Sequence, residues 1–301
     1  MRGRKLLRVG ALLMVAGVLL VLIVSRMDNL IHGEEKNMTL VQKTHEVQEA
    51  FTGIHVEDVD CAVRILPSAD GMCRVVCHDR VDGTVYHTVD AQGGELKITR
   101  HDTRKWYQFF DVSLESAAVE VYLPEHAYRE LAISTASGSV EVNRGFTFER
   151  VSLHSSSGSI RMLSDAHEEL KAESTSGRVT VEAASPDELT AQSVSGRVTV
   201  SSTRCGKANV KTTSGSIELN DVIAERELSI HTTSGSVTLN GCDGGSVRVK
   251  TVSGSVKGTL LSDKVFVTHT VSGSVRVPES AGGGECDIHT TSGSIRLDVK
   301  R

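Results

Sequence analysis

The stretch Leu131-Ala-Ile-Ser-Thr-Ala-Ser-Gly-Ser-Val-Glu-Val142 decides the fold, because its pattern recurs to the end of the chain. Its Ser-Gly element occurs nine times in all, at an almost constant interval. The nine repeat glycines are Gly138, Gly158, Gly177, Gly196, Gly215, Gly235, Gly254, Gly273 and Gly293. A regular period of this length is typical of solenoids, in which each repeat is one supersecondary unit.

Each repeat alternates between apolar and polar positions. Three residues before every repeat glycine stands Ser or Thr, and two residues after it stands Val or Ile. The alternation indicates a strand, a sharp Ser-Gly turn and a second short strand. One such pair of strands cannot bury its apolar face alone, whereas stacked copies can.

The sequence therefore predicts an all-β fold, a parallel β-solenoid of about nine coils of 19–20 residues, with the repeat glycines as structural turn residues. Nine antiparallel hairpins that turn at Ser-Gly are the alternative. The constant spacing favours the solenoid, because stacking requires a fixed period and independent hairpins do not.

The chain before the repeats divides into three parts. Residues 1–26 carry the basic residues Arg2, Arg4, Lys5 and Arg8, followed by an apolar run that extends from Val9 to Val24. Residues 27–48 are polar and are expected to form a stalk. Residues 49–130 contain strand-like segments separated by turn signals and predict an irregular N-terminal β segment and cap before the solenoid of residues 131–301.

The segment 1–26 predicts a signal anchor that forms one transmembrane helix. The basic residues before the apolar run place the N-terminus in the cytoplasm and the rest of the chain outside the cell membrane, in a single pass. A cleaved secretory signal is the alternative, although no Ala-x-Ala-like site follows the run. The chain has a formal net charge of −5, and its N-terminal segment is basic, so the remainder is acidic and unsuited to nucleic acid.

The order of these parts resembles a known family. An anchor, a β segment that ends in Val119-Glu-Val-Tyr-Leu-Pro124, and the Ser-Gly-Ser repeats are similar to the bacterial "putative adhesin" domains of unknown function. Relatives of those domains are found with cell-envelope stress systems. The resemblance implies a β-solenoid displayed at the bacterial surface, with no assigned catalytic residues.

Together, these features predict a non-enzymatic, adhesin-like binding module or a cell-envelope scaffold or sensor that needs no cofactor. Its partner would be an envelope protein or a glycan. A polysaccharide-active lyase or hydrolase is the alternative, because such enzymes also occur on β-helices and use converging carboxylates. The outward position three residues after each glycine holds only two acids, Glu141 and Glu218, among basic and Thr residues.

Two pairs of side chains are candidate sites. Cys61 and Cys77 would face each other if their segments formed a hairpin around residues 67–71, which makes them a candidate disulfide. His269 and His289 stand four residues before successive repeat glycines, so stacking would bring them about 5 Å apart. They are candidate ligands for a divalent metal, against the plainer alternative of a solvated polar row.

The C-terminal coil is a candidate interaction surface. It holds Ile295, Leu297 and Val299, close to Arg301. An uncovered last coil presents unpaired strand edges and the end of the apolar core. We therefore expect self-association, or pairing with a partner strand, through this coil.

Overall fold

The computed structural model describes residues 40–104, 117–280 and 282–300, and every regular element in these ranges is a β-strand. The expected anchor of residues 1–26 and most of the expected stalk lie outside them. Within the described ranges, no helix is long and apolar enough to span a membrane.

The strands fall into two groups. Those before the repeats are β1 (Leu40–Val47), β2 (Gly53–Glu57), β3 (Ala62–Pro67), β4 (Cys73–Arg80), β5 (Val85–Gln92), β6 (Glu95–Asp102) and β7 (Ala118–Leu123). Those of the repeats are β8 (Ala127–Thr135), β9 (Val140–Val142), β10 (Thr147–Ser155), β11 (Ile160–Met162), β12 (Asp165–Ser174), β13 (Val179–Glu182), β14 (Glu188–Ser193), β15 (Val198–Thr212), β16 (Ile217–His231), β17 (Val237–Lys250), β18 (Val256–Leu260), β19 (Lys264–Ser272), β20 (Val275–Arg276), β21 (Gly284–Ser292) and β22 (Ile295–Val299).

The repeats form a parallel β-solenoid of about eight turns, compared with the about nine coils expected from the sequence. Equivalent residues of successive repeats pair in register, as Val151 does with both Leu131 and Leu170. The parallel pairing rules out the alternative of antiparallel hairpins. The apolar positions face inward, and Leu170 and Val179 of the third repeat are fully buried.

A ladder of hydroxyl groups explains the Ser or Thr three residues before each repeat glycine. In the third repeat, the Ser174 hydroxyl accepts a hydrogen bond from the Gly177 N–H (2.9 Å) and donates one to the Gly158 carbonyl of the preceding rung (3.1 Å). Eight repeats donate this bond to a glycine carbonyl, at 3.0–3.3 Å. A buried hydroxyl satisfies both groups, and an alkyl side chain would satisfy neither.

The repeat glycines are required by close stacking. A Cβ atom at Gly177 would lie 1.9 Å from the Gly158 carbonyl oxygen, and the same contact recurs along the whole column of repeat glycines. No side chain fits at such a distance. The repeat glycines are therefore required mainly because they let one coil lie close to the next, and less because the turn is sharp.

The last two repeats stack in the reverse of their sequence order. Strand β21 pairs with β17 on one side and with β19 on the other, and β22 lies between β18 and β20. The hydroxyl ladder follows the same order, since Thr290 donates to the Gly254 carbonyl and Thr270 to that of Gly293. The C-terminal coil is therefore internal, and the expectation that it forms the open end is wrong. The eighth repeat, β19 and β20, forms that end.

The N-terminal strands extend the solenoid instead of forming a separate domain. Strands β2 and β3 add a rung in parallel register beside β8 and β9, and β6 and β7 add another beyond it. Antiparallel strands then extend both sheets. On one side β5 pairs with β6, and on the other β4 pairs with β7 and β1 pairs with β4. Residues 40–47, expected to belong to the stalk, form β1.

The glycine column predicts a sharp difference between two substitutions. Gly177→Ala should lower the free energy of unfolding by about 3 kcal/mol or more, because backbone atoms of the adjacent coil cannot make room for a methyl group. Gly282→Ala is the control, since no atom lies within 4 Å of its Cβ position, and its effect should stay within about 1 kcal/mol. Chemical denaturation measures both, and equal effects would contradict the stacking role.

Candidate functional site

The candidate site lies at the turn between β2 and β3, where the rung beside the first repeat departs from the repeat pattern. Because β2 and β3 pair in register with β8 and β9, Cys61 lies level with Gly138 and Asp58 level with Thr135. An acid thus replaces the repeat hydroxyl, and a thiol replaces the repeat glycine.

Asp58 holds this turn through one carboxylate oxygen. Its Oδ1 accepts hydrogen bonds from the backbone N–H groups of Val59 (2.6 Å), Asp60 (2.9 Å) and Cys61 (2.7 Å). The bond from Cys61 corresponds to the glycine N–H bond that a hydroxyl accepts in the repeats. The other oxygen, Oδ2, is left to point at a second side chain.

That side chain is His87 of β5, which lies between two carboxylates. Its Nε2 is 2.8 Å from Asp58 Oδ2, and its Nδ1 is 2.8 Å from Asp79 Oδ1. All three side chains are completely buried. Asp79 Oδ2 also pairs with Lys43 Nζ at 2.9 Å, and Lys43 is half exposed. A charged His87 and Lys43 together neutralise the two carboxylates.

The pKa values reflect this pairing. Burial opposes the charge on His87, but its hydrogen bonds to Asp58 and Asp79 outweigh burial and raise its pKa above the ordinary value. Burial likewise acts to raise the pKa of Asp58 and of Asp79, but the hydrogen bonds from His87 help to lower both. The three groups therefore stabilise each other in their charged forms.

Cys61 links this buried network to the surface. Burial, followed by the charges of Asp58 and Asp60, raises the pKa of the Cys61 thiol. The residue also lines a cleft of about 460 Å³, together with Asp60, His78 and Arg100. The cleft therefore lies on the Cys61 side of the network.

The geometry limits the chemistry of the network. Both ring nitrogens of His87 are engaged by carboxylates, so His87 has no free nitrogen with which to activate a nucleophile. Burial raises the pKa of the Cys61 thiol, which disfavours the thiolate form that a nucleophile needs. Asp58, Cys61 and His87 do offer ligand atoms that all lie within 4.8 Å of one another, so these residues could hold a metal ion.

The hairpin expected to unite Cys61 and Cys77 does not form. Strand β7 pairs with both β3 and β4 and lies between them. All six cysteines of the chain are buried and are free thiols, so the structure contains no Cys61–Cys77 disulfide.

The expected proximity of His269 and His289 is observed. The two residues pair in register on β19 and β21, with ring centroids 5.8 Å apart. His289 Nε2 lies 2.8 Å from Asp287 Oδ1. Within the described ranges, however, the pair is not part of a cluster of three or more ligands with metal-binding spacing.

The Asp58–His87–Asp79 network was not predicted from the sequence. A signal for part of it exists, because residues 54–65 repeat the apolar alternation of residues 131–142 with Asp58 and Cys61 at the hydroxyl and glycine positions. A search for Ser-Gly cannot find this degenerate repeat. No local pattern connects it to His87, which reaches the site from an antiparallel strand.

Most of the described chain matches a known family. The family model described as Toastrack DUF4097 matches residues 51–297. The chain belongs to the Toastrack DUF4097 family. The expected resemblance is thereby confirmed, and the match begins before the Ser-Gly repeats, so it includes the rung that carries Asp58 and Cys61.

Similar solved structures come from Parabacteroides and Bacteroides species. A "putative adhesin" from Parabacteroides merdae is 12% identical, with a TM-score of 0.48, over 88% of this chain and 98% of its own. A "putative lipid binding protein" from Parabacteroides distasonis is 15% identical, with a TM-score of 0.47, over 86% and 97%. A "putative adhesin" from Bacteroides fragilis is 11% identical, with a TM-score of 0.42, over 87% and 97%. The comparison with curated proteins found no match.

The buried network predicts a large effect of Asp58→Ala. It should lower the free energy of unfolding at pH 7 by about 3–5 kcal/mol, because it removes one partner of a buried charge pair. The exposed Asp90 on β5 gives the control Asp90→Ala, with an expected change within about 0.5 kcal/mol.

The difference in the free energy of unfolding between wild type and Asp58→Ala is predicted to depend on pH. The pKa of Asp58 is lowered in the folded state. Its contribution to the free energy of unfolding is therefore complete above the pKa of the unfolded state, about 3.9, and is lost as the pH falls through the pKa of the folded state. The gap between wild type and Asp58→Ala should therefore narrow in acid. A gap that stays constant down to pH 2 in chemical denaturation would contradict the ion pair.

Proposed function

We propose that the protein is a membrane-anchored, extracytoplasmic binding module of the adhesin type, without enzymatic activity, that binds through the open end of its solenoid. The observation that carries this proposal is the surface of the eighth repeat. Val265, Val267 and Val271 are 42%, 47% and 73% exposed on the outer face of β19. Apolar side chains in this number on one outer strand are typical of an interaction surface.

This surface differs from the other repeats at equivalent positions. Eight residues before the glycine, seven of the nine repeats carry a charged residue and one a Ser, whereas the eighth carries Val265. Six residues before the glycine, the eighth repeat carries Val267, where seven others carry a polar residue. Val265 and Val267 are therefore specific to the end of the solenoid, whereas the position of Val271 also carries Val in the fourth and seventh repeats.

The backbone of this end is also available for pairing. Among the described residues, β19 pairs only with β21, so one edge of β19 has no partner strand in those ranges. The inward side chains Phe266 and Thr268 are half-buried. An added strand would bond to the edge and cover these side chains.

A second copy of the chain is a suitable partner strand. Antiparallel pairing of two β19 strands about Thr268 would set Val265 opposite Val271 of the other copy, and such apolar cross-strand pairs stabilise a sheet. The two solenoids would then lie end to end. Strand β1 belongs to the opposite end of the described fold, so the two β1 strands would be farthest apart, an arrangement suited to linking two surfaces.

The non-enzymatic part of the proposal is supported by the positions of the two acids that stand three residues after repeat glycines. Glu141 and Glu218 lie in the same outward row, but the pairing places three rungs between them. At about 4.8 Å per rung their separation is about 19 Å. The carboxylates of glycosidases are about 5–9.5 Å apart.

The membrane part of the proposal rests on the sequence of residues 1–26. Protease added to intact spheroplasts should degrade the solenoid, while a tag before residue 1 stays protected, because the proposed anchor leaves only the N-terminus in the cytoplasm. Recovery of the whole solenoid free in the medium, cut near Ser25, would instead support a cleaved signal.

The binding surface is tested by Val267→Lys. A lysine on a strand edge opposes strand addition. The self-association constant of the purified full-length chain, measured by sedimentation equilibrium, should therefore fall at least tenfold. Val194→Lys is a matched control, since Val194 is equally exposed, at 47%, and lies within the body of the solenoid. A wild-type chain that stays monomeric at all concentrations would refute self-pairing, and equal behaviour of the two variants would refute the assignment of the surface to β19.

A further inference from the structure

We propose that Asp58, Cys61 and His87 form a binding site for one divalent transition-metal ion of the zinc type. The three side chains offer one oxygen, one sulfur and one nitrogen ligand, and these atoms all lie within 4.8 Å of one another. All three residues are buried. Within the described ranges, no other group of three or more His, Cys, Asp and Glu side chains has this spacing.

The ligand set selects the class of metal. Thiolate and imidazole together suit zinc and similar transition metals, whereas calcium and magnesium prefer sites built from oxygen atoms alone. A site with three protein ligands leaves a fourth position in tetrahedral geometry. Of the three residues, only Cys61 lines the cleft of about 460 Å³, so the cleft marks the side of the site that lies nearest to solvent.

The surroundings hold two of the ligands in place. Asp58 is fixed by three backbone N–H groups on Oδ1, so its Oδ2 points at His87 Nε2. On the other side of the ring, His87 Nδ1 lies 2.8 Å from Asp79 Oδ1. Metal-binding histidines commonly donate their second ring N–H to a carboxylate in this way, which orients the ring and makes the ligand nitrogen more basic. Asp79 is therefore a positioning residue.

The arrangement of carboxylates also favours a cation. Asp58 and Asp79 place one oxygen atom against each ring nitrogen of His87. An ion bound by Asp58 and His87 would therefore lie beside carboxylate oxygen atoms, which attract a positive charge.

The site also accounts for the departure of this rung from the repeat. Elsewhere the hydroxyl position carries Ser or Thr and the glycine position carries Gly, neither of which is a good metal ligand. Here the same two positions carry Asp58 and Cys61. A metal bound at this site would join β5 to the turn between β2 and β3, beside the first Ser-Gly repeat.

Cobalt binding tests the proposal directly. The purified full-length chain, stripped with a chelator, should bind one Co²⁺ per chain and develop thiolate-to-cobalt charge-transfer absorption in the near ultraviolet. Cys61→Ser should abolish this absorption, because it removes the sulfur ligand. Cys205→Ser is the control, since Cys205 is also buried and free but lies outside the cluster, and it should leave the absorption unchanged.

Asp79→Asn separates positioning from ligation. It should retain the charge-transfer absorption but weaken Co²⁺ binding about 10- to 100-fold, because the second ring nitrogen loses its carboxylate partner. Absence of the absorption in the wild type, or its persistence in Cys61→Ser, would overturn the proposal.

If Cys61→Ser fails to fold, X-ray absorption spectroscopy of the zinc-loaded wild type tests for the sulfur ligand instead. The expected first shell contains one sulfur at about 2.3 Å and nitrogen or oxygen atoms at about 2.0–2.1 Å. A shell of nitrogen and oxygen atoms alone would overturn the proposal. Neither measurement depends on the membrane anchor or on the surface of β19.

Discussion

The hydrogen bond from a Ser or Thr hydroxyl to the glycine carbonyl of the adjacent rung is the interaction on which the rest of the structure depends. In the third repeat the hydroxyl of Ser174 joins its own Gly177 N–H to the Gly158 carbonyl. The contact requires a side chain with both a donor and an acceptor at one position and the absence of a side chain at the other. Repetition of these two requirements fixes the period of the repeat and aligns the apolar positions into one continuous core.

The two ends of the solenoid depart from this pattern in opposite ways. At the N-terminal end, Asp58 and Cys61 replace the hydroxyl and the glycine, and the rung carries a buried network of charges with His87. At the other end, β19 keeps the hydroxyl ladder but carries valines on its outer face. Departures from a regular repeat often mark functional positions, and both proposals made for this protein concern such departures. The interior repeats lie between the two ends.

Much of the fold could be predicted from the sequence, because each interior repeat pairs with the repeats directly before and after it in the chain. The order of strands at the ends could not. The spacing from Gly273 to Gly293 is the same whether β21 lies outside β19 or inside it, so the period does not encode this order. Likewise, Cys61 and Cys77 are separated by β7, a strand that comes after both of them in the chain and inserts between β3 and β4.

Hydrogen exchange of the last two repeats tests this order of strands most directly. In the structure, β21 has partners on both sides, at β17 and β19, whereas β19 pairs with β21 alone among the described strands. The measurement is best made on Val267→Lys, so that self-pairing does not protect β19. The account predicts slow exchange throughout Gly284–Ser292 and fast exchange of about every second amide in Lys264–Ser272. Full protection of β19 together with fast exchange in β21 would contradict it, because the chain would then stack in sequence order and expose its last coil.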